Sequence, residues 1–574
     1  MDAPLLPLLR DRFGLPAFRD GQEAVVRHLL AGGDALVAWP TGRGKSLCYQ
    51  LPALLLPAPT LVLSPLIALM EDQVAALRAR GIAATFINST LERAERERRA
   101  AAFAAGRHPL LYVTPERFRD PTFLAAIDAR RPGLLAVDEA HCISTWGHDF
   151  RPEYGRVGVL RERLGRPPTV ALTATATPAV LAEIEQRLAL RAPLLARAGL
   201  ERDNLFLAAT EPADEAAKWG RVAALLRRLP GAGIVYGALI RDLHRLEDEL
   251  ARGGERLLIY HGDLSREERQ AMHRRFQQPG DARVLATRAF GMGIDKADLR
   301  FLLHHQLPGS IEELWQEIGR AGRDGAPSYC ELLYSPDDLA IQMQFVRAAN
   351  PDRRLFREVV QRLSEWSARG EAFDRESLRL AVTGKAAADG RVDTCVAWLV
   401  ALGALEGDLD RGRARLVRAL DPDDEPAELG ADKLKRDLER LSKVVDYVRT
   451  KACRRLFLHD YFGLPAPAAS CAACDVCVDR EQWIAAQLPA RPRAAAPRAA
   501  APPAAAAASG AGPAAPPREL PARGDFVRVD GTWIGRVTRV SGRGRDALVE
   551  VELADTLATR RFPARKHRIE KLDG

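Results

Sequence analysis

The residues best suited to chemistry begin at PTGRGKS, positions 40–46. A glycine-rich turn can bring main-chain N–H groups against phosphate oxygens, and a helix starting there adds positive potential. Gly42 and Gly44, with Thr41 and Arg43, supply such a turn; Lys45 is placed for the β- and γ-phosphates of ATP and Ser46 for Mg²⁺. Trp39 replaces the usual opening glycine of the pattern, so a chance glycine turn is the alternative. Further on, VDEAH (137–141) closes an apolar run. Asp138 at a strand's carboxyl end suits Mg²⁺, and Glu139 suits a general base acting on the attacking water. The competing reading is an Asp-Glu pair that caps the next helix.

QEIGRAGRDG (316–325) offers Gln316, Arg320 and Arg323. A helical turn would put the two arginines on one face, from which they could stabilise charge on a γ-phosphate held by another lobe. In HCISTWGHDFRPEY (141–154), Trp146, Phe150 and Tyr154 are mixed with His148 and Arg151. Aromatics can stack on unpaired bases for about 1–3 kcal/mol each; ordinary core packing is the alternative. Cys453, Cys471, Cys474 and Cys477 follow C-x17-C-x2-C-x2-C. Four thiolates suit tetrahedral Zn²⁺, with an iron–sulfur cluster as the competing chemistry. Cys48, Cys142, Cys330 and Cys395 are scattered and read as small buried hydrophobes.

These groups need a scaffold. Residues 1–205 alternate short apolar runs (ALVAW, TLVLS, LLYVT, GLLAVD, TVALT) with helix-like stretches, and 206–345 repeats the style with GIVY, LLIY, RVLA, RFLLH and CELLY. The pattern predicts an α/β fold of two tandem parallel-sheet lobes. Residues 350–425 read as three helices and a short hairpin, a winged-helix-like pattern. A long helix opens 430–485 and leads into the cysteines; 486–520 is an Ala/Pro-rich tether; 521–574 predicts a small β-barrel. The net charge of +8 leans toward a polyanionic partner. No apolar stretch reaches membrane-spanning length, and the first residues lack a signal-peptide pattern, so a soluble cytoplasmic protein without membrane contact is expected.

Taken together, the motifs resemble those of the RecQ-family DNA helicases within the larger DEAD/DEAH-like superfamily, whose lobes are RecA-like. The resemblance rests on FGLPAFRDGQ (13–22), SPLIALMEDQV (64–74), TPERF (114–118), LTATAT (172–177), YHGDLSREER (260–269), ATRAFGMGIDK (286–296), HHQLPGSIEELWQEIGRAGRDG (304–325), the aromatic-rich segment and the CRRLFLHDYFG/CAACDVC context. It implies adenine recognition by Arg19 and Gln22. It implies DNA contact or coupling by Ser64, Thr114, Trp146, His148, Phe150 and Arg151, a structural zinc, and movement on single-stranded DNA in the 3′ to 5′ direction with unwinding of duplex DNA in repair or recombination. Thr145, Asp203, Gly262, Asp263, Arg288 and Gly309 depart from the usual residues beside the motifs. The familiar layout puts a winged helix after the zinc module, whereas here the candidate precedes it. The terminal barrel resembles Tudor- or KOW-like modules and is a candidate dock for other repair proteins or nucleic acid. An RNA-directed motor and a non-catalytic nucleic-acid-binding scaffold are the alternative readings.

Overall fold

The computed structural model describes residues 5–488 except 41, 145–151, 175, 201, 279, 292–295, 372, 385–388, 407–408, 410–413, 419–430 and 467–470, together with five strands between 526 and 571. Thr41, Trp146, His148, Phe150 and Arg151 therefore lie outside the described residues. The chain divides into two compact units, 1–492 and 493–574.

Within the first unit, seven strands form a sheet: β1 (Ala35–Ala38), β2 (Thr60–Leu63), β3 (Ala84–Ile87), β4 (Leu110–Val113), β5 (Leu134–Val137), β6 (Thr169–Thr173) and β7 (Leu194–Arg197). Their order is β3-β4-β2-β5-β6-β1-β7, and every pairing is parallel. β1, β2, β4, β5 and β6 are buried at every residue. That is what uninterrupted runs of Leu, Val and Ala require, with helices over both faces. Because β2, β5, β6 and β1 are neighbours, the segments after them (Ser64, Asp138, Ala174 and the phosphate loop) emerge side by side at one edge.

The second lobe has β8 (Leu205–Thr210), β9 (Ala232–Tyr236), β10 (Leu258–Tyr260), β11 (Arg283–Ala286), β12 (Leu299–His304) and β13 (Ser328–Leu333). Its order is β10-β11-β9-β12-β13-β8, again all parallel. The tandem α/β architecture is that expected; β3, β7 and β8 were not among the strands read from the sequence. β7 is a partly exposed edge strand whose LLAR carries little apolar signal.

A helix at Pro336–Ala349 leaves the second lobe. Helices Arg353–Ala368, Arg375–Thr383 and Gly390–Ala401 follow, and then a two-residue antiparallel ladder between β14 (Leu405–Glu406) and β15 (Arg415–Leu416). This insert has its own core of Phe356, Val359, Leu363, Leu378, Val392, Cys395 and Leu399. Helices Ala431–Arg449, Arg454–Tyr461 and Arg480–Gln487 complete the unit. Among the described residues no helix is long and apolar enough to cross a membrane.

The second unit is a five-stranded antiparallel sheet in the order β19-β18-β17-β16-β20, where β16 is Phe526–Val529, β17 Trp533–Ser541, β18 Leu548–Leu553, β19 Thr559–Pro563 and β20 Ile569–Lys571. Among the described residues its outer strands do not pair with each other, so the expected barrel is seen as an open sheet over Val529, Val537, Val549, Val551 and Phe562.

Candidate nucleotide cleft and metal centre

The phosphate loop leaves β1 through Trp39, which is buried at 2% exposure and fills the place where the motif usually opens with glycine. Its N–H donates to Thr173 O at 3.1 Å, so the loop stays registered on β6. Gly42 and Gly44 adopt φ of 86° and 76°, a left-handed backbone that side chains disfavour. The helix beyond is a single turn, Leu47–Gln50, because Pro52 diverts the chain into a 3₁₀ turn. Lys45 Nζ donates to Trp39 O at 3.0 Å, folding back over its own loop. Burial depresses the Lys45 ammonium while Glu139 and Asp138 hold it up, and Arg323 from the second lobe also depresses it. Arg323 is therefore within electrostatic reach of the phosphate loop.

Arg19 and Gln22, expected to recognise adenine, here hold the loop itself. Gln22 Nε2 donates to Arg43 O at 3.2 Å and Gly44 O at 3.1 Å, its Oε1 accepts from Arg19 N at 2.8 Å, and the Arg19 guanidinium bonds Gly42 O. A residue the sequence reading passed over, Gln73, donates to Ser46 Oγ at 3.4 Å and accepts from Tyr49 at 2.7 Å and Tyr112 at 3.1 Å. It lies inside SPLIALMEDQV, and only its packing against the loop distinguishes it from its neighbours.

Asp138 is 6% exposed and accepts the Glu139 N–H at 3.1 Å. Burial and the adjacent Glu139 carboxylate push its pKa up to about 7, against the pull of Lys45. A divalent cation would relieve that repulsion, and Ser46 and Asp138 offer the hard oxygens Mg²⁺ prefers. Glu139 has φ 48° and ψ 47° and occupies the N-cap position of the 3₁₀ turn Ala140–Ile143, yet its side chain makes no capping bond. A non-glycine residue held in that region costs roughly 1–3 kcal/mol, a strain found mostly at functional sites. The capping alternative thus describes its position and leaves its carboxylate unexplained. That carboxylate lies 3.3 Å from His141 Nδ1, which is 3.1 Å from Thr173 Oγ1. Burial would lower the His141 pKa, but Cys142 and Glu139 raise it well above the ordinary value.

In the second lobe the helix Ile311–Ile318 carries Gln316, half-buried, and ends before the arginines. Arg320 and Arg323 are not on one helical face: Gly322, with φ 56°, turns the chain between them. Both still bear electrostatically on Tyr236, whose hydroxyl burial pushes up and the two arginines pull back. Arg320 is 7% exposed. Arg202 secures this turn with bonds to Gly319 O and Gly322 O, each at 3.0 Å. His304 stacks on Tyr236 with ring centroids 5.6 Å apart and bonds Glu317 at 2.6 Å. Ser64 and Thr114, expected on the DNA side, follow the neighbouring strands β2 and β4 and are buried, 1% and 7% exposed.

The Sγ atoms of Cys453, Cys471, Cys474 and Cys477 all lie within 4.8 Å of one another. Tetrahedral zinc with Zn–S of about 2.3 Å sets the sulfurs about 3.8 Å apart, so the four fit the ion. N–H groups of Arg454, Val476 and Cys477 aim at Cys474 and favour its thiolate, helped first by Cys471. The module extends the exposed edge of the second lobe: Leu207 N donates to Ala473 O and Asp475 N to Leu207 O, both at 3.0 Å, beside β8. Trp483 packs on Phe206 at 4.7 Å between centroids. Cys453 and Cys474 belong to the same core as Leu207, Cys330 and Tyr447.

Comparison with known proteins adds three family profiles. DEAD/DEAH box helicase matches residues 19–184, helicase conserved C-terminal domain 218–325, and RecQ zinc-binding 413–478. A probable ATP-dependent DNA helicase RecS of Bacillus subtilis is 39% identical over 368 residues, covering 64% of this chain and 74% of that protein. The ATP-dependent DNA helicase RecQ of the same organism is 40% identical, covering 60% and 59%. That of Pasteurella multocida is 39% identical, covering 63% and 57%. The chain therefore spans somewhat over half the length of these two RecQ relatives.

Proposed function

Because the chain belongs to the RecQ family of ATP-dependent DNA helicases, we propose that its two lobes hydrolyse ATP at their interface to move along single-stranded DNA and part duplex strands. Movement from 3′ to 5′, use in DNA repair or recombination and a cytoplasmic location belong to the same reading. Gly42 and Gly44, with Thr41 and Arg43, wrap the phosphates; Lys45 neutralises them; Arg19, Gln22 and Gln316 complete the nucleotide contacts. For that, Lys45 exchanges Trp39 O for phosphate oxygen. Ser46 and Asp138 hold Mg²⁺, which when bound supplies charge against the triphosphate. Glu139 orients and deprotonates water, and Arg320 and Arg323 meet the charge that develops on the γ-phosphate. DNA contact, or its coupling to hydrolysis, falls to Trp146, His148, Phe150 and Arg151, with the buried Ser64 and Thr114 on the coupling side. The C-terminal sheet on its tether is a dock for nucleic acid or repair proteins.

The observation that carries the reading is geometric: the Gly42–Gly44 loop, with Lys45 bonded to Trp39 O at 3.0 Å, and the buried Asp138 with Glu139 in left-handed backbone follow β1 and β5 at one edge of the first sheet. The test is steady-state ATP hydrolysis alone, with single-stranded DNA and with single-stranded RNA, with Lys45→Ala as the blank. Stimulation by DNA and none by RNA is expected. Equal stimulation by RNA would put the RNA motor first, and no turnover would revive the scaffold.

A further inference from the structure

The insert has the element order of a DNA-reading winged helix, so its third helix, Gly390–Ala401, is the one that would enter a groove. Its sequence, GRVDTCVAWLVA, offers one cation, Arg391, and that is held by Asp389 at 2.7 Å. One face supplies Val392, Cys395, Val396 and Leu399 to the insert's own core. Another face is spent on the rest of the motor. Gly390 packs so closely on the helix Pro336–Ala349 that a β-carbon there would stand 2.9 Å from Ala348 Cβ, and the Thr394 hydroxyl lies 2.9 Å from both Ala348 O and Gly390 O, sharing its one proton between the neighbouring helix and its own. The helix also packs against the first lobe's turn Pro152–Arg156, the continuation of the aromatic-rich segment. Just past its end, Gly403 comes up to the Arg156 guanidinium, 3.8 Å from a β-carbon position.

The anchoring on the second-lobe side is polar and specific. Lys433 Nζ donates to Ala349 O and Asn350 Oδ1, each at 3.2 Å, and to Asp437 at 2.8 Å, while Asn350 Nδ2 donates to Asp437 at 2.7 Å. This ties the long helix Ala431–Arg449 to the junction at which the insert begins. The insert is thus fixed on one lobe and abuts the other beside the segment expected to meet single-stranded DNA.

We propose that the insert is an interlobe brace rather than a reader of DNA, and that Gly390 and Thr394 are positioning residues that hold the turn after the aromatic-rich segment against the second lobe. The inference rests on the motor reading above. A reader needs an exposed, hydrogen-bonding helix face; of this helix's charged residues, Arg391 is exposed but paired with Asp389, and Asp393 is paired with Arg375 and Arg379, while the exposed Ala397 offers no hydrogen bond. A brace needs close small-residue packing and contacts on both lobes, which Gly390, Thr394 and the Arg156 contact supply.

The test uses the full chain with Thr394→Val, Thr394→Ser and Gly390→Leu. ATP turnover is measured without DNA and across a titration of oligo-dT, and oligo-dT affinity by fluorescence anisotropy at two salt concentrations. Zinc content reports folding. Thr394→Val removes one hydrogen bond and is expected to cut DNA-stimulated turnover about threefold. Gly390→Leu wedges the interface and is expected to cut it about tenfold. Basal turnover, oligo-dT affinity and its salt dependence stay at wild-type values, and Thr394→Ser restores stimulation. Loss of affinity with a shallower salt dependence would make the insert a DNA reader and overturn the brace. Undiminished stimulation in both variants overturns it as well. Wild-type protein that DNA does not stimulate would overturn the motor reading and the brace with it, an outcome distinct from unaltered variants of a stimulated enzyme.

Discussion

The side-chain amide of Gln22 donates to the main-chain oxygen of Gly44 at 3.1 Å, and lies 2.7 Å from where a β-carbon on that glycine would stand. Gln22, proposed to recognise the nucleotide, and the shape of the loop therefore form one mechanical unit. Gly44→Ala meets two obstacles, a left-handed φ of 76° and the Gln22 amide itself. The strain alone is about 1–2 kcal/mol, so the KM for ATP is expected to rise about tenfold or more. Gln22→Ala frees the space but drops three hydrogen bonds, and should also raise KM. Steady-state kinetics with varied ATP measures both, and an unchanged KM in either would separate Gln22 from the nucleotide.

For Glu139 the carboxylate and the backbone can be tested apart. Glu139→Gln keeps the shape and loses the base, so ATP still binds while turnover falls by about 10²–10⁴. Glu139→Gly accepts the φ of 48° without strain and also lacks the base. Both variants are expected to be inactive to a similar degree, read by single-turnover hydrolysis and by binding of a fluorescent ATP analogue. A Gln variant with wild-type turnover would remove the assigned role.

Arg323 is proposed to meet the charge on the leaving γ-phosphate, and it lowers the Lys45 pKa from the other lobe. Arg323→Ala should lower kcat by about 10³ with ATP affinity little changed, in keeping with arginines that meet a transferring phosphoryl group. Arg323→Lys keeps the charge without the forked geometry and should recover only part of the loss. A change confined to KM would instead assign the arginine to ground-state binding.

How much of this was written in the chain can be judged from these residues. Runs such as LLYV and GLLAV declare buried parallel strands because both of their faces are apolar, and PTGRGKS, VDEAH and the four cysteines carry their chemistry in type and spacing. Gln73 was illegible because its role is a contact made 27 residues away, with Ser46. A spacing of three suggests one helical face for Arg320 and Arg323, whereas Gly322 ends that geometry. The third insert helix had the order of a reader; only its packing against Ala348 and the Pro152–Arg156 turn shows where its faces go. β8 is an edge strand completed by the zinc module through a bridge between Leu207 and Cys474, a pairing far apart in the chain that no local pattern encodes.

The C-terminal sheet has its own core and falls in a separate compact unit from residue 493. Deleting residues 523–574 should leave basal and DNA-stimulated turnover within about twofold and leave zinc content unchanged, since no group assigned to hydrolysis comes from it. Loss of turnover in the truncated chain would make the sheet part of the motor.

Removing zinc should damage more than the module that binds it. Cys453 and Cys474 share a core with β8 and β13 of the second lobe, and Leu207 exchanges main-chain bonds with Ala473 and Asp475. When four thiolates lose their ion, the binding free energy that held the fold is lost with it, and the edge of the sheet is uncovered. Cys474→Ser, or strong chelation of the wild type, is therefore expected to lower the melting temperature of the second lobe by roughly 10 °C, each kcal/mol moving a domain of this size by about 2–4 °C. The first lobe has a separate core around Leu36, Val62 and Val137, so its unfolding should move little and ATP analogue binding to the phosphate loop should persist. Calorimetry with and without chelator resolves the two transitions. A single transition that shifts as one would mean the lobes unfold together, and full zinc content in Cys474→Ser would sink the four-ligand site.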